Sequence, residues 1–241
     1  MEIIKKKILD YQEKIFQRNN PYKPFEVVFY LSSPMSLTYP WLFFDGIISH
    51  LALRNALGDD YYNLPSKMPL ETVFPEYYKI IPLDQSNGVF RASVSILDGD
   101  MKKIEVLYKR FEDRYIPKTK RSRVPVGSGF YKSYAMKIVY FPVEKVRFYA
   151  KGDVELINEL LIELDGLGSE TRVGWGAIRK FEINVIDNDF SWIKDGLAMR
   201  PLPVRLLSFY NDSAMIASKP PYWDIRNVEE CAVPFTEVRL G

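Results

Sequence analysis

The apolar positions change period several times along the chain, and each change marks an element. Between residues 2 and 18, Ile4, Ile8, Leu9, Tyr11, Ile15 and Phe16 fall on one stripe, which predicts a short amphipathic helix. "NNPYKP" ends it. β-Branched and aromatic residues crowd "FEVVFYLSS" (25–33), a strand. After the irregular corner "PMSLTYP", the run "WLFFDGIISHLALRNALG" (41–58) reads as a mostly buried helix closed by Gly58. Residues 59–87 are rich in Pro and Tyr without a clean period, which predicts a long structured insertion. Alternation returns in "GVFRASVSIL" (88–97) and "KKIEVLYKRF" (102–111), and Asp98, Gly99 and Asp100 between them predict a hairpin turn. "YKSYAMKIVYFP" and "KVRFYAKG" are further strands. Asp153 is placed to cap a helix over 154–164, where Val154, Ile157, Leu160, Leu161 and Leu164 keep helical spacing. "AIRKFEINVI" (177–186) alternates as a last strand.

The order strand, helix, strand, strand, helix, strand predicts an α+β, ferredoxin-like (RRM-like) unit with its helices on one face of a sheet. It divides the chain into a helical N-terminal extension (1–24), a core domain (25–187) and a Pro- and aromatic-rich C-terminal tail (188–241) packed on the same domain. No repeat of solenoid period is present.

Composition narrows the chemistry. A single cysteine, Cys231, excludes an internal disulfide framework and a cysteine zinc cluster, and with one histidine as well no metal or cofactor is expected. The N-terminus is charged where a signal peptide would be apolar, and no apolar run is long enough for a membrane helix, so a cytoplasmic protein without membrane contact is expected. Aromatics reach 15%, a level that suits packed sheets and also surfaces that stack bases.

Charge is unevenly placed. "KRFEDRYIPKTKRSR" (109–123) holds seven Lys/Arg against two Asp/Glu, a local +5, while the whole chain is only +2, so the rest nets −3. Such a run is either a solvated hairpin tip or an arm that neutralises phosphates, with Phe111 and Tyr115 interleaved to stack on bases. The second unusual stretch, "DGLGSETRVGWG" (165–176), has four glycines in twelve positions. It lacks the Gly-Lys-Ser/Thr ending of a Walker loop, and it follows a helix and precedes a strand, the reverse of a dinucleotide fingerprint. Gly174 and Gly176 exceed what a helix end and a turn need, and they imply a backbone that something approaches closely. From the residues alone, another chain segment and a ligand explain this equally.

A loop of the form "GLGSxTRxGWG" between the second helix and last strand of such a unit resembles the signature of the RAMP superfamily of CRISPR-associated proteins. "LSSPMSLTYPWLFFDGIISHLAL" resembles the first strand and helix of that superfamily. "FRASVSIL", "GSGFYKSY", "VRFYAKGD", "RPLPV", "PPYW" and "CAVP", in this order, resemble the subgroup that caps the guide in type IV CRISPR effector complexes. The likeness covers roughly residues 25–235; residues 1–24 have no counterpart in it. It implies a RAMP fold with a basic thumb inserted at about 102–136, and a non-catalytic subunit that holds the 5′ handle of the guide RNA beside backbone and large subunits, with target DNA as a further contact. By position, Lys109, Arg110, Arg114, Lys118, Lys120, Arg121 and Arg123 would line the thumb. Lys132 and Arg91, on adjoining strands, are weaker candidates. Gly166, Gly168, Ser169, Arg172, Gly174 and Gly176 would meet RNA phosphate.

Some relatives cut the precursor of the guide with a His, Tyr and Lys set, so His50 is the candidate for an alternative reading as a metal-independent endoribonuclease. It sits among apolar residues in "DGIISHLALRN", where a structural histidine is the plainer explanation. Asp45 in "FDG" is explained equally by capping the helix start. A third reading makes the chain mainly architectural, with Pro220, Pro221, Tyr222 and Trp223 as a docking surface.

Overall fold

The computed structural model describes residues 2–64, 77–99, 101–111, 127–129 and 131–241. Helix α1 (Glu2–Arg18) uses only part of its apolar stripe. Ile4 and Ile8 are buried and Tyr11 and Ile15 half-buried, whereas Leu9 and Phe16 face solvent, Phe16 being 86% exposed. Leu9 and Phe16 stand seven residues apart on one margin of the stripe, beyond the line along which α1 meets helix α2 (Phe44–Leu57). At the far end of α1, Arg18 grips Glu159 with both guanidinium nitrogens, at 2.9 and 2.7 Å.

Strand β1 (Lys23–Leu31) and the two-residue β2 (Met35–Ser36) precede α2. After α2 come β3 (Gln85–Ser86), β4 (Val89–Phe90), β5 (Ile96–Leu97), β6 (Lys103–Lys109), β7 (Tyr134–Phe141) and β8 (Lys145–Gly152). Helix α3 (Val154–Leu161) and strand β9 (Ile178–Val185) follow. The main sheet has the order β5-β8-β1-β9, with antiparallel neighbours throughout. Phe25, Val27, Phe29 and Leu31 of β1 and Val146, Phe148 and Ala150 of β8 alternate onto one buried face. Helices α2 and α3 lay Phe44, Ile48, Leu51, Ile157, Leu160 and Leu161 on it. Phe148 meets Phe44 at 5.1 Å and Phe29 edge-on at 5.9 Å between ring centroids. Each such side chain contributes about 1.5–3 kcal/mol by leaving water.

Asp153 caps α3 as its position implies, accepting from the Leu156 N–H at 3.0 Å, and it also accepts from Asn20 Nδ2 at 3.1 Å. The helix is shorter than its apolar spacing predicts, ending at Leu161, so the glycine-rich stretch is reached through a turn.

The expected hairpin across residues 98–100 does not form. β5 adds to the main sheet beside β8, and β6 pairs with β7 in a separate ribbon. The 88–97 stretch is not one strand either. Ser93 and Ser95 turn inward, where Ser93 Oγ donates to Val94 O and accepts from Tyr149 N, and Ser95 Oγ accepts from Leu42 N. These side-chain bonds replace ladder bonds and divide the stretch into β4, two single bridge pairs and β5.

The tail adds the hairpin β10 (Ile193–Lys194) and β11 (Leu197–Ala198), then β12 (Leu202–Pro203), β13 (Leu207–Tyr210), β14 (Ser213–Ala217), β15 (Val228–Ala232) and β16 (Val238–Leu240). β12-β15-β14 form one small sheet and β13-β16 another. Trp192 sits in a second core with Val89, Leu202 and Val238, and the Lys194 ammonium donates to Tyr149 Oη at 2.6 Å on the helix-free face of the main sheet.

The strongest tie between tail and α2 is a buried charge. Arg200 is fully buried and donates to Phe90 O (2.6 Å), Ala92 O (3.0 Å), Ser218 O (2.5 Å) and Asp45 Oδ2 (3.1 Å). Tyr222 Oη donates to the other Asp45 oxygen at 2.6 Å, and its ring stacks on Phe43 with centroids 3.7 Å apart. Burial opposes the guanidinium charge, but Asp45 and Tyr222 outweigh it and hold the Arg200 pKa above its ordinary value. Burial first, then the Asp45 carboxylate, raises Tyr222 well above its own.

Candidate nucleic-acid interface

The glycine-rich stretch and the foot of the basic run, far apart in sequence, meet through β2. On one side Met35 and Ser36 pair with Phe141 and Tyr140 of β7. On the other, Ser36 bridges Ser169, whose N–H donates to Ser36 O at 2.8 Å. β7 in turn carries β6, in register from Lys103 opposite Tyr140 to Lys109 opposite Tyr134. Residue 169, β2, β7 and β6 therefore form one hydrogen-bonded run of backbone. The Trp175 ring reinforces the seam, lying 4.9 Å from Tyr140 between centroids.

Within residues 165–176 the backbone is held by its own chain. Gly176 N donates to Pro34 O at 2.8 Å, and Leu167 N to Gly176 O at 2.9 Å. Ser33 Oγ donates to Gly174 O at 2.7 Å and accepts from Ala177 N at 2.9 Å. Ser169 and Thr38 share a hydroxyl hydrogen bond of 2.6 Å. Gly168 and Gly176 have positive φ, and a Cβ on them would stand 2.2 Å from Ser36 O and 1.9 Å from Leu167 O. Of the two explanations open for these glycines, close packing against another chain segment is the one present here. Gly166 also abuts Thr171, whereas Gly174 has open space where a Cβ would project.

Lys109 and Arg110 stand exposed at the end of β6, each 5.9 Å from a tyrosine ring, Tyr134 and Tyr108 respectively. Phe111 meets Tyr131 edge-on at 4.8 Å, and Lys132 is exposed just ahead of β7. Phe111 belongs to the expected arm, and Tyr115 lies outside the described residues; Tyr108, Tyr131 and Tyr134 were no part of the expected site, and the interleaving of aromatics with Lys and Arg in the sequence was the signal for them. Arg114, Lys118, Lys120, Arg121 and Arg123 lie outside the described residues. Arg91 is already engaged, 3.0 Å from Asp189 and 4.3 Å above the Trp192 ring.

A concavity of about 330 Å³ opens between α2 and the glycine-rich stretch. His50 and Arg54 of α2 line it together with Glu163, Asp165, Thr171, Arg172 and Trp175. His50 Nδ1 lies 2.8 Å from Tyr61 Oη, with the rings edge to face. Desolvation, then the nearby Arg54 charge, lowers the His50 pKa, which favours a neutral imidazole near pH 7.

Two other expected sites resolve into internal structure. Asp45 is no helix cap: Phe43 holds the N-cap position, and the carboxylate serves the Arg200 pair. Of Pro220, Pro221, Tyr222 and Trp223, only Trp223 is prominently exposed, at 63%, while Tyr222 is committed to Asp45 and Phe43. Among the described residues no group of three His, Cys, Asp or Glu is arranged to hold a metal, and no helix is long and apolar enough to cross a membrane. Burial, with Glu229 adding to it, pushes the Cys231 thiol up to about 12.

A comparison with solved structures finds a chain from "Cryo-EM structure of the Type III-B Cmr-beta bound to cognate target RNA", 11% identical, with a TM-score of 0.35. The match covers 73% of this chain and 65% of that one, so the protein spans just under two thirds of that chain's length. No curated protein matches. The family model for CRISPR type IV associated protein Csf3 matches residues 91–234, more than half of the sequence and including the ribbon, the glycine-rich stretch and Arg200. The chain belongs to the CRISPR type IV associated protein Csf3 family.

Proposed function

We propose that the protein is a non-catalytic RNA-binding subunit of a type IV CRISPR ribonucleoprotein, capping the 5′ handle of the guide and contacting the adjacent backbone subunit. The observation that carries this reading is the unbroken run from Ser169 through β2 and β7 to Lys109, which joins the two stretches that resemble RAMP RNA contacts. The β5-β8-β1-β9 order, with α2 and α3 on one face, supports a ferredoxin-like RAMP arrangement around it. Cations bind phosphates and tyrosines stack on bases, and both kinds of side chain project from the ribbon.

Guide binding should therefore weaken with salt, losing about 0.7 in log–log slope for each phosphate contact removed. Filter binding of handle RNA at several salt concentrations tests this with Lys109→Glu, Arg110→Glu and Arg172→Glu, and with charge reversal at Lys120, Arg121 and Arg123. Unchanged affinity and slope in every variant would sink the reading.

The close His50 and Tyr61 pair favours guide maturation as the second reading. Incubation with repeat RNA in EDTA, wild type against His50→Ala, separates the two: cleavage lost in the variant supports the ribonuclease.

A further inference from the structure

We propose that the cleft between α2 and the glycine-rich stretch receives one unstacked nucleotide whose base carries an exocyclic amino group. The inference rests on the nucleic-acid reading above and adds a base preference to it. At about 330 Å³ the cleft falls at the small end of the ligand-pocket range, room for one nucleotide of a strand. Its lining holds both signs of charge. Arg54 from α2 and Arg172 from the loop supply cations, suited to a phosphate. The Trp175 indole supplies a stacking face. The Asp165 and Glu163 carboxylates in the lining accept hydrogen bonds and donate none, and Glu163 accepts from Asn55 Nδ2 at 3.4 Å.

Carboxylates in the lining discriminate between bases. Adenine, cytosine and guanine each offer an exocyclic amino group to carboxylates; uracil offers only its ring N3–H, flanked by two carbonyl oxygens that the carboxylates repel, so it is the poorer fit. Trp175 also touches Tyr140, so a base in the cleft adjoins the strand path along the ribbon.

The cleanest comparison is cytosine against uracil, equal in size and stacking area. Fluorescence anisotropy of the full chain with short rC and rU homopolymers should show rC bound about fivefold or more tightly. Asp165→Asn, combined with Glu163→Gln, should bring the two toward parity, because an amide also donates to uracil oxygen. Trp175→Ala should weaken both by roughly tenfold. Lys109→Glu with Arg110→Glu should weaken both and leave the preference intact. Circular dichroism of each variant guards against loss of fold. Equal affinity of the wild type for rC and rU, or a preference that survives the double amide variant, overturns the inference while the RNA reading stands. Binding to neither polymer overturns both.

Discussion

Among single residues, Arg200 carries the greatest weight. Its guanidinium is fully buried, so removing a partner strands a charge rather than merely losing a contact. Asp45→Ala and Arg200→Met should each cost about 3–5 kcal/mol in urea unfolding, far beyond a surface ion pair. The glycines divide in a similar way. Gly174→Ala meets only the strain of a left-handed backbone, about 1–2 kcal/mol, since nothing fills the space beside it. Gly168→Ala and Gly176→Ala add collisions with Ser36 O and Leu167 O, costing a further 1–3 kcal/mol or so, and should loosen the seam to β2. Thermal melts of the three variants check the order. Cys231, buried and with its thiol held near 12, should resist alkylation until the chain unfolds, which mass spectrometry after iodoacetamide treatment reads directly.

The elements show how unevenly a pattern translates into structure. α2, α3, β1, β8 and β9 were legible because one face of each is buried against the others, and burial is what imposes a period on sequence. The partnership of β6 was not, because both strands of its ribbon are largely exposed and nothing in their alternation names a partner. The glycine-rich stretch was visible as a composition, but its seam to Ser36 and Tyr140 depends on a two-residue strand that leaves no periodic trace. Arg200 stood in "MRPLPV" as an ordinary charge; no local spacing tells that a guanidinium lies inside. For α1, attachment rests partly on Arg18 and Glu159. The Arg18 hydrogen bond lowers the Glu159 pKa, so this clamp is complete above the ordinary glutamate value, about 4.3, and is lost as pH falls through the lowered one. Protection factors of α1 amides, taken relative to the intrinsic exchange rate at each pH, should fall over that acid range in the wild type, and Glu159→Gln should remove that fall.

Across the whole molecule, the helix-free face of the main sheet is shared between tail and solvent. The tail covers Tyr149, whereas Tyr30, with Lys180 4.4 Å from its ring and Glu182 accepting from its hydroxyl, is left outside. Glu182 pairs with Lys180 there and Glu26 with Arg147, whereas the sequence run 109–123 nets +5. Under the proposed function, handle RNA should protect Lys109 and Lys132 from acetylation while Lys145 and Lys180 stay reactive, a contrast that footprinting by mass spectrometry would resolve. The Asp45 and Arg200 pair has another consequence, in the order of synthesis. Its partners are 155 residues apart, so a growing chain completes α2 and the glycine-rich stretch long before the cation arrives. Until then Asp45 lacks its counter-charge, and the start of α2 cannot close over it. Prematurely terminated copies ending ahead of Arg200 should thus be degraded rather than accumulate, which pulse-chase of a chain stopped at residue 199 would read, so the last sixth of the chain acts as a check on its own completion.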